Sequence, residues 1–210
     1  MAYDFEEQEK LDSLRDWWSR YGTLCVIVAC LAAAAVLGWR GWQWYEQNRT
    51  HQAMGYFEAL QRAAQQSDSE SNARLLAASQ TLQNDYGSSA YASRGVLIAG
   101  TTLYKQGELD AAQQQFEWLV QHSKDPAMVP VAQLRLATVL AEKKEFDQAL
   151  AQLTSPPAAF EGLYLDRQGD IWYIQQDTSQ ALAAWRQAKE HTGEAPLAEL
   201  IQLKIDAIEE

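Results

Sequence analysis

Nineteen residues from Tyr21 to Trp39 run without a charge (YGTLCVIVACLAAAAVLGW). As a helix rising about 1.5 Å per residue they extend ~28 Å, close to the ~30 Å hydrocarbon thickness of a bilayer. Aromatic residues crowd both ends: Trp17, Trp18 and Tyr21 before the run, Trp39, Trp42, Trp44 and Tyr45 after it. Five of the eight tryptophans therefore fall at the two headgroup levels, where an apolar ring bearing one N–H is favoured. No second run of this kind follows, so the pattern predicts a single-span anchored protein. Two rivals are a cleaved signal peptide and a buried core helix. Against the first, Asp4, Glu6, Glu7, Glu9, Asp12 and Asp16 outnumber Lys10, Arg15 and Arg20 in the leader, and the run exits into Trp39-Arg40-Gly41-Trp42 rather than a small-residue cleavage site. Against the second stand the length of the uncharged run and its double aromatic girdle.

Residues 46–210 carry helical rather than strand periodicity, punctuated by glycine and proline. The pattern predicts nine helices, roughly over 45–66, 71–84, 90–105, 109–121, 127–143, 146–153, 160–175, 178–190 and 195–209. Asp125-Pro126 reads as an N-cap with proline at the first helical position, and Ser155-Pro156-Pro157 as a connection. The segments repeat. Gly100, Leu103, Gly107, Leu109, Ala112 and Phe116 recur after 37 residues as Ala137, Leu140, Lys144, Phe146, Ala149 and Leu153. After a further 32 they recur as Gly169, Trp172, Gln176, Thr178, Ala181 and Trp185. Small residues let the two helices of a pair cross closely, and large ones fill the space between pairs. This resembles the 34-residue tetratricopeptide unit. The last helix places Leu197, Leu200, Ile201, Ile205 and Ile208 on one face and Glu199, Gln202, Asp206 and Glu209 opposite, as a solenoid cap would. The expected fold class is therefore all-α: one transmembrane helix, then a tetratricopeptide-like α-solenoid of helix pairs with a C-terminal capping helix. The expected domains are an acidic leader (1–20), the anchor (21–42) and the repeat domain (43–210).

Charge and chemistry narrow the function. The chain carries a formal net charge of −11, and no basic cluster appears beyond Lys143-Lys144, which argues against nucleic acid. Cys25 and Cys30 both lie in the span, so no disulfide framework exists in the repeat domain. His51, His122 and His191 are isolated near predicted helix ends, and no zinc spacing, phosphate loop or nucleophile elbow occurs. Asp166 and Asp170, four apart on one helix, could suit a metal or an acid–base pair; the plainer reading is a solvated or groove-lining acidic face. The expectation is no enzyme, no cofactor, no metal and no small-molecule substrate.

Two surfaces are candidate contacts. Cys30, Ala34 and Gly38 recur every four residues and would let another transmembrane helix approach closely, although alanine-rich spans need no partner. On the repeat pattern, the first helix of each pair lines a concave face. That places Arg94, Leu97, Thr101, Tyr104 and Lys105, then Val131, Leu134 and Thr138, then Leu163, Asp166, Asp170 and Tyr173 in a groove suited to a peptide or helix. The competing reading makes Leu97, Leu134 and Leu163 inter-repeat core. In the leader, Leu11, Leu14 and Trp18 fall at helical spacing among acids.

Taken together, several segments resemble one family across essentially the whole chain. They are the exit Gly38-Trp39-Arg40, Asp85-Tyr86-Gly87 before the helix starting near Ala90, and Asp166-Arg167-Gln168-Gly169-Asp170 with Ala184-Trp185 downstream. The closing strings are Pro196-Leu197-Ala198-Glu199-Leu200 and Leu203-Lys204-Ile205-Asp206-Ala207-Ile208. They resemble the YfgM family, ancillary tetratricopeptide-like subunits of the bacterial SecYEG translocon. The resemblance implies an inner-membrane anchor with the leader in the cytoplasm and the repeat domain in the periplasm. Basic residues before and after the span only lean the same way. It also implies three protein partners: SecYEG, the periplasmic chaperone PpiD and exported proteins in transit. An anchored scaffold of another envelope assembly, self-associating through its repeats, is the alternative.

Overall fold

The computed structural model describes residues 3–66 and 68–209, with side chains from Arg15 onward except Asp16. Leu11 and Leu14, expected on an amphipathic leader face, lie outside the described side chains. Among the described residues there are helices and no strands. They are α1 (Tyr3–Ala64), α2 (Ser69–Tyr86), α3 (Ala90–Lys105), α4 (Leu109–His122) and α5 (Met128–Glu142), then α6 (Phe146–Ala151), a 3-10 turn (Ala158–Phe160), α7 (Glu161–Ile174), α8 (Thr178–His191) and α9 (Ala195–Glu209). The helix expected over 45–66 is not a separate element but the end of α1. No proline falls between Tyr3 and Ala64, and the glycines there are isolated, so nothing breaks the hydrogen-bond ladder. The chain divides into two units between Arg49 and Thr50.

The first unit is the N-terminal part of α1. Its most apolar window, of mean hydropathy 2.2, is only 6 % buried, which removes the reading of this stretch as a core helix. Leu24, Ile27, Leu31, Val36 and Leu37 all stand exposed, as a lipid-facing helix requires. Trp17 packs its ring 6.0 Å from Tyr21, and Arg49 lies 5.8 Å from the centre of the Tyr45 ring.

The second unit stacks helix pairs. Its first pair is the end of α1 with α2, where the Tyr56 and Tyr86 rings lie 5.8 Å apart; α3–α4, α5–α6 and α7–α8 follow, and α9 closes the series. Short polar residues start the helices. Asp68 accepts from the Ser71 hydroxyl at 2.7 Å and the Ser71 N–H at 2.9 Å, and Asp177 from the Gln180 N–H at 3.0 Å; these bonds hold both carboxyls below their ordinary value. Asp125 does not cap α5 as expected. It accepts from the Ala127 N–H at 2.9 Å in a turn of its own, and α5 begins at Met128.

The three aligned turns share one geometry. Gly107, Lys144 and Gln176 all adopt the left-handed conformation, with φ of 81°, 64° and 65°. In each, the next residue donates its N–H to the carbonyl five positions back: Glu108 to Leu103 at 3.0 Å, Glu145 to Leu140 at 2.9 Å, Asp177 to Trp172 at 3.0 Å. This closes the helix in a Schellman motif, where glycine is the favoured residue. A side chain there costs ~1–2 kcal/mol, against ~0.5–1 kcal/mol of extra chain entropy for glycine. Lys144→Gly and Gln176→Gly should therefore each raise stability by about 0.5–1 kcal/mol, and Gly107→Ala should lower it by about 1 kcal/mol. Thermal melts of the three variants check this. A Gln176→Gly variant that melts lower than the parent would show that the turn carries no strain.

Within pairs, small residues face large rings. A Cβ added at Gly100 would meet Phe116 at 2.7 Å, and one at Gly169 would meet Trp185 at 2.4 Å. Ala112, Ala149 and Ala181, the small residues expected on the second helix of each pair, are fully buried. Between α2 and α4 the core carries a polar clasp, in which Ser79 Oγ and Gln83 Nε2 each donate to Gln115 Oε1 at 2.7 Å. In α9, Leu197, Ile201, Ile205 and Ile208 pack on Ala181, Trp185 and Ala188 as expected. Leu200 does not: it is 51 % exposed and shares an outer face with Leu203, at 67 %.

Candidate functional site

The aligned turns fix the register of α3, α5 and α7, so equivalent side chains of these helices can be compared directly. Their ends surround a cleft of about 620 Å³. Tyr104, Thr138 and Asp170, expected from the sequence, line it together with Glu142, Arg167 and Ile174. The Tyr104 hydroxyl donates to Glu142 Oε1 at 2.8 Å, joining α3 to α5. Burial, reinforced by Glu142, pushes the Tyr104 phenol above its ordinary value, so it stays a neutral donor. Arg167 Nη1 lies 3.4 Å from Asp170 Oδ2, while Arg167 Nε is buried and has no hydrogen-bond partner. Ala141, Lys144, Phe146 and Ile171 complete the lining. Mixed charge, one orphan donor and apolar walls suit a polypeptide, which offers backbone carbonyls and side chains at once.

The remaining expected groove residues are distributed differently. Arg94 and Lys105 are exposed on α3. Leu97 and Leu134 are half-buried against the core, and their carbonyls accept from Thr101 Oγ1 at 2.8 Å and Thr138 Oγ1 at 2.9 Å. Val131 is half-buried and Leu163 partly exposed. Tyr173 is 53 % exposed, with its ring centre 5.8 Å from that of Trp185. Asp166 is not a groove residue. It is buried and faces α9, where Lys204 Nζ donates to Asp166 Oδ1 at 2.7 Å and to Asp170 Oδ1 at 2.6 Å. Burial pushes the Asp166 carboxyl up; the Lys204 hydrogen bond opposes that shift and the Asp170 charge adds to it. An ammonium thus sits between the two carboxylates that the sequence offered as a metal pair. Among the described residues no group of three or more His, Cys, Asp or Glu side chains converges.

Glu142, Arg167 and Ile174 were missed by the sequence reading, yet they carried a signal. Glu142 lies four residues after Thr138 and Ile174 four after Asp170, so each shares a helix face with a residue already chosen. Lys143, the first of the basic pair, is bound to Asp110 at 2.7 Å and Glu145 at 3.2 Å. His122 and His191 lie at helix ends, with Nδ1 3.1 Å from Trp118 O and 2.9 Å from Gln187 O. In the first unit Ala34, Gly38 and Cys30 are exposed on α1, and a Cβ added at Gly38 would meet nothing within 4 Å.

Comparison with known proteins gives the context for this face. Residues 15–210 match the family of tetratricopeptide repeat-like domains. The chain is 30% identical over 212 residues to the ancillary SecYEG translocon subunit of Neisseria gonorrhoeae, covering 99% of this chain and 100% of that one. It is 25% identical over 191 residues to the protein of the same name from Haemophilus influenzae, covering 90% and 92%. With that of Escherichia coli it shares 25% identity over 203 residues, 95% of each chain.

Proposed function

The chain belongs to the family of ancillary SecYEG translocon subunits with a tetratricopeptide repeat-like domain, and from that premise we propose how its two surfaces are used. It is a single-span inner-membrane protein acting at the translocon through protein contacts. Residues 1–20 lie in the cytoplasm, 21–42 span the membrane, and 43–210 form the periplasmic interaction domain. The face built by α3, α5 and α7 receives a polypeptide segment, either of an exported protein leaving the translocon or of the chaperone PpiD, to which such clients pass. The Cys30–Ala34–Gly38 face of α1 meets a transmembrane helix of SecYEG. Chemistry is left to other proteins; the role is capture and transfer.

The observation that carries this reading is the cleft shared by three successive pairs, where Tyr104, Thr138 and Asp170 meet beside the unsatisfied Arg167 Nε. The experiment uses the full chain in its membrane, with a membrane-impermeant crosslinker added to spheroplasts, so that only periplasmic groups react. Tyr104→Ala with Tyr173→Ala should cut crosslinked PpiD and client at least about tenfold. It should leave SecYEG recovery unchanged. Ala34→Leu with Gly38→Leu should do the reverse. Full client crosslinking in a tyrosine variant that keeps its helical circular dichroism would defeat the cleft as the binding site. An absence of any crosslink to residues 43–210 in the parent would place that domain on the other side of the membrane.

A further inference from the structure

The repeat register extends one step beyond the last complete pair. In α7, Tyr164 and Ile171 face the preceding pair: Tyr164 donates to Gln133 at 2.6 Å, and Ile171 is fully buried in the first core cluster. In α9, Leu197 and Ile201 pack with Ala181, Trp185 and Ala188 of α8, and Lys204 reaches back to Asp166 and Asp170 of α7. Matching Tyr164 to Leu197 and Ile171 to Lys204 is a shift of 33 residues. That shift puts Leu203 at the position of Asp170, Thr138 and Thr101, and Leu200 at the position of Arg167. Pro196 falls at the position of Leu163, Val131 and Arg94, and Ala207 at that of Ile174, Glu142 and Lys105. All four α9 residues are exposed. Their spacing of four, three and four residues makes one stripe along the helix.

The binding face therefore changes character along the series. At α3 it presents the exposed cations Arg94 and Lys105, and at α5 the exposed Arg135 with Glu142, whose carboxylate accepts from the Tyr104 hydroxyl; none of the three cations is ion-paired among the described residues. At α7 it is mixed, with Leu163 and Ile174 flanking Arg167 and Asp170. At α9 it is wholly apolar, with only the exposed acids Glu199 and Asp206 along its outer rim. A cap whose task is solubility would carry polar residues here, and large side chains left in water are the signature of a docking surface.

We propose that α9 is the fourth wall of the binding face, and that the face takes a polypeptide segment acidic at the α3 end and apolar at the α9 end. The claim rests on the cleft reading above and adds to it the chemistry and direction of the occupant. Charge complementarity selects this occupant. Uncompensated cations at one end attract carboxylates, while an apolar stripe at the other offers burial to Leu, Val or Phe side chains. A second copy fits poorly, because pairing two α9 stripes would bring Glu199 and Asp206 of both copies together. Lys204, bonded to Asp166 and Asp170, and Arg186, paired with Glu209, hold α9 in place as a wall.

The test uses the full chain in detergent and three fluorescein-labelled peptides: one with glutamates in one half and leucines in the other, one with lysines for the glutamates, and one with serines for the leucines. Anisotropy should rank the Glu/Leu peptide tightest, with each substituted peptide at least about tenfold weaker. Leu200→Glu with Leu203→Glu should weaken the Glu/Leu peptide about tenfold and leave the serine peptide unchanged. Arg94→Glu with Lys105→Glu should reverse the preference between glutamate and lysine peptides. Should the double glutamate variant lose helical circular dichroism, Leu203→Ser replaces it. Parent-like binding by the α9 variant, with Tyr104→Ala still weakening it, overturns the fourth wall and leaves the cleft. Parent-like binding by both, or no binding by any peptide, overturns both. A concentration-dependent dimer abolished by the α9 substitutions would assign the stripe to a second copy and overturn the proposal.

Discussion

Replacing Gly169 by valine should lower the apparent melting temperature of the repeat unit by roughly 6–12 °C, equivalent to about 3 kcal/mol of overpacking. Gly169 is where α7 crosses α8. An added Cβ would lie 2.4 Å from both Cδ1 and Nε1 of Trp185, well inside van der Waals contact. The ring has little freedom to withdraw. It is 3 % exposed, and its Nε1–H donates to Asp166 O and to Asp170 Oδ1, both at 3.2 Å. On its other sides stand Tyr173 at 5.8 Å and the Lys204 ammonium at 5.6 Å. Moving Trp185 therefore disturbs the second core cluster and the seat of α9 together. Gly55 is the contrasting site: it is exposed within a helix, and a Cβ there meets nothing within 4 Å. Gly55→Ala should raise stability by up to about 1 kcal/mol through helix propensity alone. Denaturant titration of the two variants side by side separates close packing from propensity. A Gly169→Val midpoint equal to the parent's would mean that Trp185 does not occupy this crossing.

The same crossing explains what could be read from the chain. Gly169 and Trp185 stand in register with Gly100 and Phe116, and a glycine opposite an aromatic at one spacing has few explanations other than two helices in contact. The turns were legible for a related reason: Lys144 and Gln176 occupy the place of Gly107, and repetition carried the assignment where residue type did not. Long-range polar pairing was not legible. Lys204 interrupts an apolar stripe of α9 and reads locally as solvent-facing, but its acceptors lie on α7, more than thirty residues earlier. Asp166 and Asp170 were therefore placed on an acidic surface. Leu200 was placed inward for the converse reason, since an apolar residue next to Ile201 reads as core. The Ser79–Gln83–Gln115 clasp gave no sign at all, because glutamine and serine on a helix are ordinary surface residues until a partner helix buries them.

Replacing Lys204 by methionine should lower stability by about 2–3 kcal/mol at neutral pH and leave a smaller loss in acid. Breaking a buried charge pair costs ~3–5 kcal/mol where both groups are dry. The lower figure applies because the Asp170 and Lys204 side chains remain 23% and 26% exposed, although Asp166 keeps only 11%. The pH dependence follows from Asp166. Burial raises its carboxyl above the ordinary value of 3.8, so the folded state binds more protons than the unfolded state between that value and the raised one. Stability therefore falls as pH rises through this window, and the cost is fully present at neutral pH. Lys204 opposes the shift by hydrogen bonding to the ionised form. Without it the window extends upward, so the loss in Lys204→Met should shrink as the solution is acidified from neutrality. Adding Asp166→Asn to the methionine variant should restore most of the loss, because the uncompensated charge is then gone. The consequence is local before it is global. With its bonds to α7 removed, α9 keeps its apolar face and the exposed Arg186–Glu209 and Lys189–Gln202 contacts with α8, and it should detach before the earlier pairs unfold. Limited proteolysis should then cut near Thr192–Glu194 in the variant while sparing α3–α8. Equal cutting of parent and variant, with equal melting at neutral pH, would show that Lys204 holds nothing in place and that α9 is seated by its contacts with α8.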